Sequence, residues 1–208
     1  MKALFGSLAC LALILGTAAA EAQDTSISFF VGANPGDGGN LGGLDGADAQ
    51  CGKLADAAGV GGKTWRAYLS TSAVNARDRI GDGPWYNAKG ELIANTVDEL
   101  HGDANKISKQ TALTEKGDVI NGRGDTPNQH DILTGSNADG TVAAGMTCED
   151  WTSNASTSKA FVGHHDRIGL KDDAPSKSWN ASHPSRGCNA EDLPKSGGAG
   201  YFYCFAAD

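Results

Sequence analysis

Gly46-Ala47-Asp48-Ala49-Gln50-Cys51 is the stretch that decides the fold. It opens a short helix, with Asp45 placed to cap the free N–H groups at its start. Ala47, Cys51, Leu54 and Ala58 recur at helical spacing and give one apolar face. Gly59 supplies the left-handed residue that commonly ends a helix. A cysteine in the middle of an apolar face needs a partner. The best candidate is at the far end of the chain, in Tyr201-Phe202-Tyr203-Cys204-Phe205. Joining that strand to the helix closes the domain into one loop.

The outer parts of the chain set its class. Lys2 and the apolar run Ala3 to Gly16 precede two small-x-small sites, ending at Ala20 and Ala22. The run is shorter than the ~20 residues a bilayer needs. Residues 1–22 therefore read as a secretory signal peptide, and 23–208 as a single domain that is soluble, secreted or periplasmic. Ser7-Leu8-Ala9 is a poor lipobox for Cys10. Beyond the signal four cysteines remain, Cys51, Cys148, Cys188 and Cys204. An even number in an exported chain implies two disulfides, and spacing leaves all three pairings open. None is C-x-x-C. The formal charge is −8, with a pI near 5.0. That counts against nucleic acid and polyanionic glycans, which bind through dense basic patches. No later segment suits membrane insertion. With 29 glycines the chain reads as loop-rich, which favours covalent ties against ordering entropy.

Along the chain, Ile27 to Val31 reads as a first strand. The glycine-rich 34–46 connection carries Asp37, Asn40, Asp45 and Asp48 close together, but without the repeat of calcium-binding β-helices. It reads as a tight loop and helix cap. Trp65 to Ser70 alternates, with Trp65, Ala67 and Leu69 on one face and Arg66, Tyr68 and Ser70 on the other. A turn at 87–90 leads to Leu92-Ile93-Ala94. Thr96 and Glu99 fit a capping box for a second helix ending near Gly102. Residues 103–131 are polar and carry no clear pattern. Leu133 reads as a strand start, 137–140 as a turn, 160–162 as a short apolar piece, and 201–205 as the closing strand. The class is α+β: a mixed, mostly antiparallel sheet, two helices and long loops.

Several blocks together resemble endostatin, the C-terminal domain of certain collagens. They are Gly38-Gly39, Gly42-Gly43-Leu44 and Gly46-Ala47-Asp48-x-Gln50-Cys51; Arg66 to Ser70; Gly135-Ser136, Gly140 and Cys148-Glu149-x-Trp151; and Cys188 with Tyr203-Cys204-Phe205. The stretches 65–70, 164–170 and 182–188 resemble still more closely bacterial exported proteins loosely called lectins. The resemblance implies a C-type lectin-like domain with paired terminal strands and a long loop region. It also implies nested disulfides, Cys51–Cys204 outside and Cys148–Cys188 inside. Sugar-binding members of that superfamily hold calcium through Glu-Pro-Asn or Gln-Pro-Asp and Trp-Asn-Asp triplets. This chain has Thr126-Pro127-Asn128 and Trp179-Asn180-Ala181, each short of a carboxylate. A calcium–sugar site of that type is not expected, and no motif supports calcium or zinc.

The densest polar cluster is His164-His165-Asp166-Arg167, with Trp179, Asn180, His183 and Arg186 downstream. It reads either as a ligand or zinc site, or as side chains that hold a loop in shape. Adjacent histidines in extended chain point to opposite sides, so both rarely reach one ion. Trp151, beside a cysteine, reads as core; Trp179, in a polar stretch, as a surface platform for a sugar; Trp85 fits either. Arg123-Gly124-Asp125 matches an integrin-binding tripeptide and reads as chance. Asn154 and Asn180 head N-glycosylation sequons. No hydrolase, zincin or phosphate-loop signature occurs. The expected function is a non-enzymatic exported module recognising a glycan or other cell-surface ligand. A metal-dependent enzyme on the same fold, using His164, His165, Asp166 and His183, and a protein-interaction module are the alternatives.

Overall fold

The computed structural model describes residues 26–33 and 36–208. The proposed signal peptide and Cys10 lie outside them. Strand β1 (Phe29–Gly32) pairs antiparallel with the closing strand β8 (Gly198–Ala206). Strand β2 (Trp65–Ala67) also pairs antiparallel with β8. Strand β5 (Asp131–Leu133) lies parallel to β8 and antiparallel to β6 (Phe161–His164), which carries β7 (His183–Pro184) on its far side. Strands β3 (Trp85–Tyr86) and β4 (Leu92–Ala94) form a separate hairpin. The chain is α+β. Leu133 ends its strand rather than starting it, because the ladder begins at Asp131.

Both faces of the main sheet are covered. Alternation along β1 and β8 sends Phe30, Phe202 and Cys204 into one core and Phe29, Tyr203 and Phe205 into another. Trp65, Ala67 and Leu69 join the first core and Tyr68 the second, as their alternation predicts. Helix α1 (Gly43–Ala57) lies over the first core and buries Ala47, Asp48, Cys51 and Ala55. It starts earlier than expected. Gly42, at φ 75°, is the cap residue, and Asp45 sits inside the first turn without capping. Asp48 is a structural hub rather than a calcium ligand. It accepts from Arg66 Nη1 (2.8 Å), Arg79 Nη2 (2.7 Å) and the Ala67 N–H (2.8 Å), binding α1 to β2. Asp37 and Asn40 are likewise spent on Asn154 and the Gly42 N–H.

Helix α2 (Val97–His101) is capped by Thr96, whose Oγ1 accepts from the Glu99 N–H at 3.1 Å. A third helical turn, α3 (Cys148–Trp151), is left-handed, with φ of 47°, 53°, 55° and 66°. L-residues pay about 1–2 kcal/mol each for that hand. Thr147 Oγ1 accepts from the Asp150 N–H, Ser72 donates twice to the Asp150 carboxylate, and Trp151 Nε1 donates to the Ser70 carbonyl. Trp151 is fully buried, as its position beside a cysteine suggested. The disulfides are Cys51–Cys204 and Cys148–Cys188, the nested pattern. Their sequence separations are 153 and 40, so chain entropy alone makes them stabilise by about 5 and 4 kcal/mol.

Candidate metal centre

Strand pairing brings the site together. His164 ends β6 directly opposite Asp131, and β7 places His183 opposite Val162. On a pleated sheet Asp131, Leu133, Val162 and His164 share a face, and His183 joins them from the neighbouring strand. Leu133 and Val162 belong to the first core; Asp131, His164 and His183 continue their face. His130 precedes β5, where the pairing with β8 slips: Asp131 faces Gly198, but Ile132 faces Tyr201. Such a bulge re-aims side chains. Gly197, at φ +113°, leaves room for the imidazole, since a Cβ there would lie 2.7 Å from His130 Cδ2. A Cβ on Gly163 would collide with the Trp179 carbonyl. Its absence lets the 179–182 loop lie against β6 and deliver His183 to His164.

Three imidazoles converge on one carboxylate. The Nε2 atoms of His130, His164 and His183 lie 3.2, 3.4 and 3.5 Å from Asp131 Oδ1. His164 Nε2 and His183 Nε2 are 3.1 Å apart. Ligand atoms of His130, Asp131 and His164 all lie within 4.8 Å of one another, and the His130 and His164 rings stack at 4.2 Å. The side chains of these three are 1–3 % exposed, whereas His183 is 36 % exposed. The trio forms a buried corner, and His183 closes its solvent side.

The outer hydrogen bonds fix the tautomers. His164 Nδ1 donates to the Ser176 carbonyl at 2.8 Å and His183 Nδ1 to the Pro184 carbonyl at 3.1 Å. His130 Nδ1 donates to the Asp166 carboxylate at 3.3 Å. Carbonyls and carboxylates only accept, so each Nδ1 carries the hydrogen and each Nε2 of a neutral ring presents a lone pair. Both Asp131 oxygens are buried with no hydrogen-bond donor. Electron-rich atoms facing one another this closely, out of water, need a cation among them. A proton shared by His164 and His183 is one such cation; a metal ion is the other. The donors of a tetrahedral zinc ion, bonded at 2.0–2.1 Å, stand about 3.3 Å apart, which is the spacing around Asp131.

Electrostatics support ionised carboxylates here. Burial pushes the Asp131 carboxyl up, but the imidazoles of His164, His183 and His130 outweigh it and hold it below its usual value. Asp131 in turn raises His183, against the opposing effect of burial. Burial also works against Asp166, yet His130 and the backbone N–H groups of Arg123 (2.6 Å) and Ile168 (3.1 Å) bring it down to about 2. Asp166 holds His130 from behind, where an outer carboxylate would orient that ring as a ligand.

The predicted cluster divides. His164 and His183 enter the site, and Asp166 supports it from behind. His165 turns away, with Nε2 3.2 Å from the Asn121 carbonyl, as the alternation of adjacent side chains requires. Arg167, Trp179 and Asn180 line a separate cavity. Trp179 is not a surface platform. It is 3 % exposed and packs on Tyr68 and Tyr203, because the close approach at Gly163 pulls its loop inward. Asn180 is buried too, its amide spent on Tyr68 Oη and two carbonyls, so its sequon is closed in the folded protein. Arg186 is exposed after β7. Trp85 is core, donating to the Ala206 carbonyl. In the Arg123-Gly124-Asp125 tripeptide, Asp125 is engaged by Lys109 and the Gly122 N–H, and the Arg123 N–H by Asp166.

His130 and Asp131 lie in the stretch that carried no clear pattern. The available signal was His130-Asp131 directly ahead of the apolar Ile132-Leu133, with His164 closing the short stretch Phe161-Val162-Gly163. No helix among the described residues is long and apolar enough to cross a membrane. No family model matches the chain, and no curated protein matches it in sequence.

Proposed function

We propose that this chain is an exported, non-enzymatic recognition module of the C-type lectin-like, endostatin-like type, whose loop face is organised by a bound divalent transition-metal ion. The metal reading rests on one observation: three imidazole Nε2 atoms face the donor-less, buried Asp131 carboxylate at 3.2–3.5 Å. Imidazole with a single carboxylate suits zinc; calcium wants six to eight oxygens. Support for the fold type comes from the paired terminal strands, the helix over the sheet and the nested disulfides, beside the sequence blocks. The disulfides fit an oxidising compartment. A carbohydrate or other cell-surface ligand remains the proposed partner, with no part for nucleic acid. The test is zinc uptake by the mature protein in competition with a chromophoric chelator, followed by a glycan array in zinc and in EDTA. One zinc per chain, lost in His164→Ala, is expected. Protein that takes no zinc from the chelator defeats the metal reading; an array blank in both buffers defeats the glycan.

A second reading has its own observation. The buried trio is two histidines and one carboxylate, and His183 stands on the exposed side. If His183 does not ligate, the ion keeps open positions, and metal-dependent catalysis becomes the better description. X-ray absorption on the zinc-loaded protein and on His183→Ala decides this. Loss of one nitrogen ligand in the variant supports the closed site, and unchanged coordination supports the open one.

A further inference from the structure

We infer that the cavity beside Arg167 is a binding site for a small organic carboxylate, separate from the metal centre. The cavity holds about 500 Å³, within the usual range for small-molecule sites. Its lining carries Arg167, Lys177 and Asp103, and of the two cations Arg167 is the one with no carboxylate partner among the described residues. The guanidinium makes one hydrogen bond to protein, from Nη2 to Asn105 Oδ1 at 2.6 Å, and its Nε is buried without a partner. The chain carries 25 Asp and Glu residues, yet among the described residues none forms an ion pair with Arg167. A half-buried guanidinium left with most of its donors unused is costly unless an anion completes it. Burial lowers the Arg167 pKa, and Tyr203 and Asp103 only partly offset that.

Backbone geometry points the same way. Arg167 has φ 55°, a left-handed conformation that costs a non-glycine residue about 1–3 kcal/mol. The turn that holds it, from the Arg167 N–H to the His164 carbonyl, fixes where its side chain begins.

The rest of the lining selects the ligand class. His101 lends it no charge: Nδ1 is bonded to the Val97 carbonyl and Nε2 accepts from Tyr68 Oη, so the ring is neutral and its donor is used. Lys177 is paired with Asp172. A single available cation with the exposed Asp103 nearby suits one negative charge better than two. Trp179 and Pro175 offer an apolar wall to the body of the ligand. Guanidinium and carboxylate match as planar, two-point partners.

The experiment uses the full mature chain with both disulfides intact, in EDTA, so that it does not depend on the metal reading. Benzoate is titrated while amide shifts are followed by NMR, with benzamide and inorganic phosphate as comparison probes. Expected is saturable binding of benzoate with shifts confined to the lining of this cavity, and at least tenfold weaker binding of benzamide and phosphate. Arg167→Lys, which keeps the charge but loses the two-point fork, should weaken benzoate at least tenfold. Ala138→Phe, on the exposed wall, should block the cavity with Arg167 unchanged, and it serves if the Arg167 variant does not fold. The inference is overturned by no benzoate binding, by benzamide binding as well as benzoate, by phosphate binding more tightly, or by wild-type affinity in both variants.

Discussion

Replacing Asp131 by Asn should change the sign of its effect with zinc. In EDTA at about pH 9.5, chosen well above the ordinary imidazole value of about 6.5 because Asp131 raises His183, His183 has given up its proton and the wild-type carboxylate is buried with no donor to either oxygen. An unsatisfied buried group of this kind costs about 1–3 kcal/mol, more when charged. Asp131→Asn removes the charge without changing the shape, so the variant should be neutral or up to about 2 kcal/mol more stable. Zinc at a thousand times its dissociation constant stabilises the folded protein by about 4 kcal/mol. In a domain of this size each kcal/mol moves Tm by about 2–4 °C, giving a rise of about 8–16 °C in wild type. The Asn amide is a poor replacement ligand, so most of that rise should vanish. Thermal unfolding of both proteins in EDTA and in excess zinc reads all four states. Equal destabilisation of the variant in both buffers would show Asp131 to be an ordinary structural carboxylate. Equal zinc stabilisation of both proteins would place the ion elsewhere.

Two further predictions test the supporting frame. Asp48→Ala strands Arg79, whose side chain is 10 % exposed, and removes the acceptor for the Ala67 N–H. It should cost about 3–5 kcal/mol in urea unfolding at neutral pH, and a loss below about 1 kcal/mol would refute the hub. Asp166 sits near 2 in the folded protein against about 3.9 unfolded. A lowered carboxyl pKa stabilises above the unfolded value, here by about 2 kcal/mol, and that stability disappears as pH falls from about 4 towards 2. Asp166→Asn should therefore flatten the acid limb of a stability–pH curve in that window, and an unchanged limb contradicts the assignment.

The sequence by itself determined the local elements. The helical recurrence of Ala47 and Cys51, the alternation through Trp65–Leu69, the Thr96 cap and the aromatic closing strand are short-range patterns whose physics is local. The α+β class follows from them. Only the tertiary structure decided the site. His130, Asp131, His164 and His183 come from three strands and a strand edge, and no spacing in the chain encodes a β5–β6 register or a bulge against Gly198. His164 and His165 look equivalent in sequence, yet pleating sends one to the carboxylate and the other to the Asn121 carbonyl. Trp179 reads as exposed from its polar neighbours, but Gly163, distant in sequence, removes the Cβ that would have kept its loop away. Handedness in the 148–151 turn is equally invisible, since it is held by Ser72, Ser70 and the Cys148–Cys188 bond. Burial and ligand geometry depend on which distant segments meet, and a one-dimensional pattern carries only what neighbours along the chain do to one another.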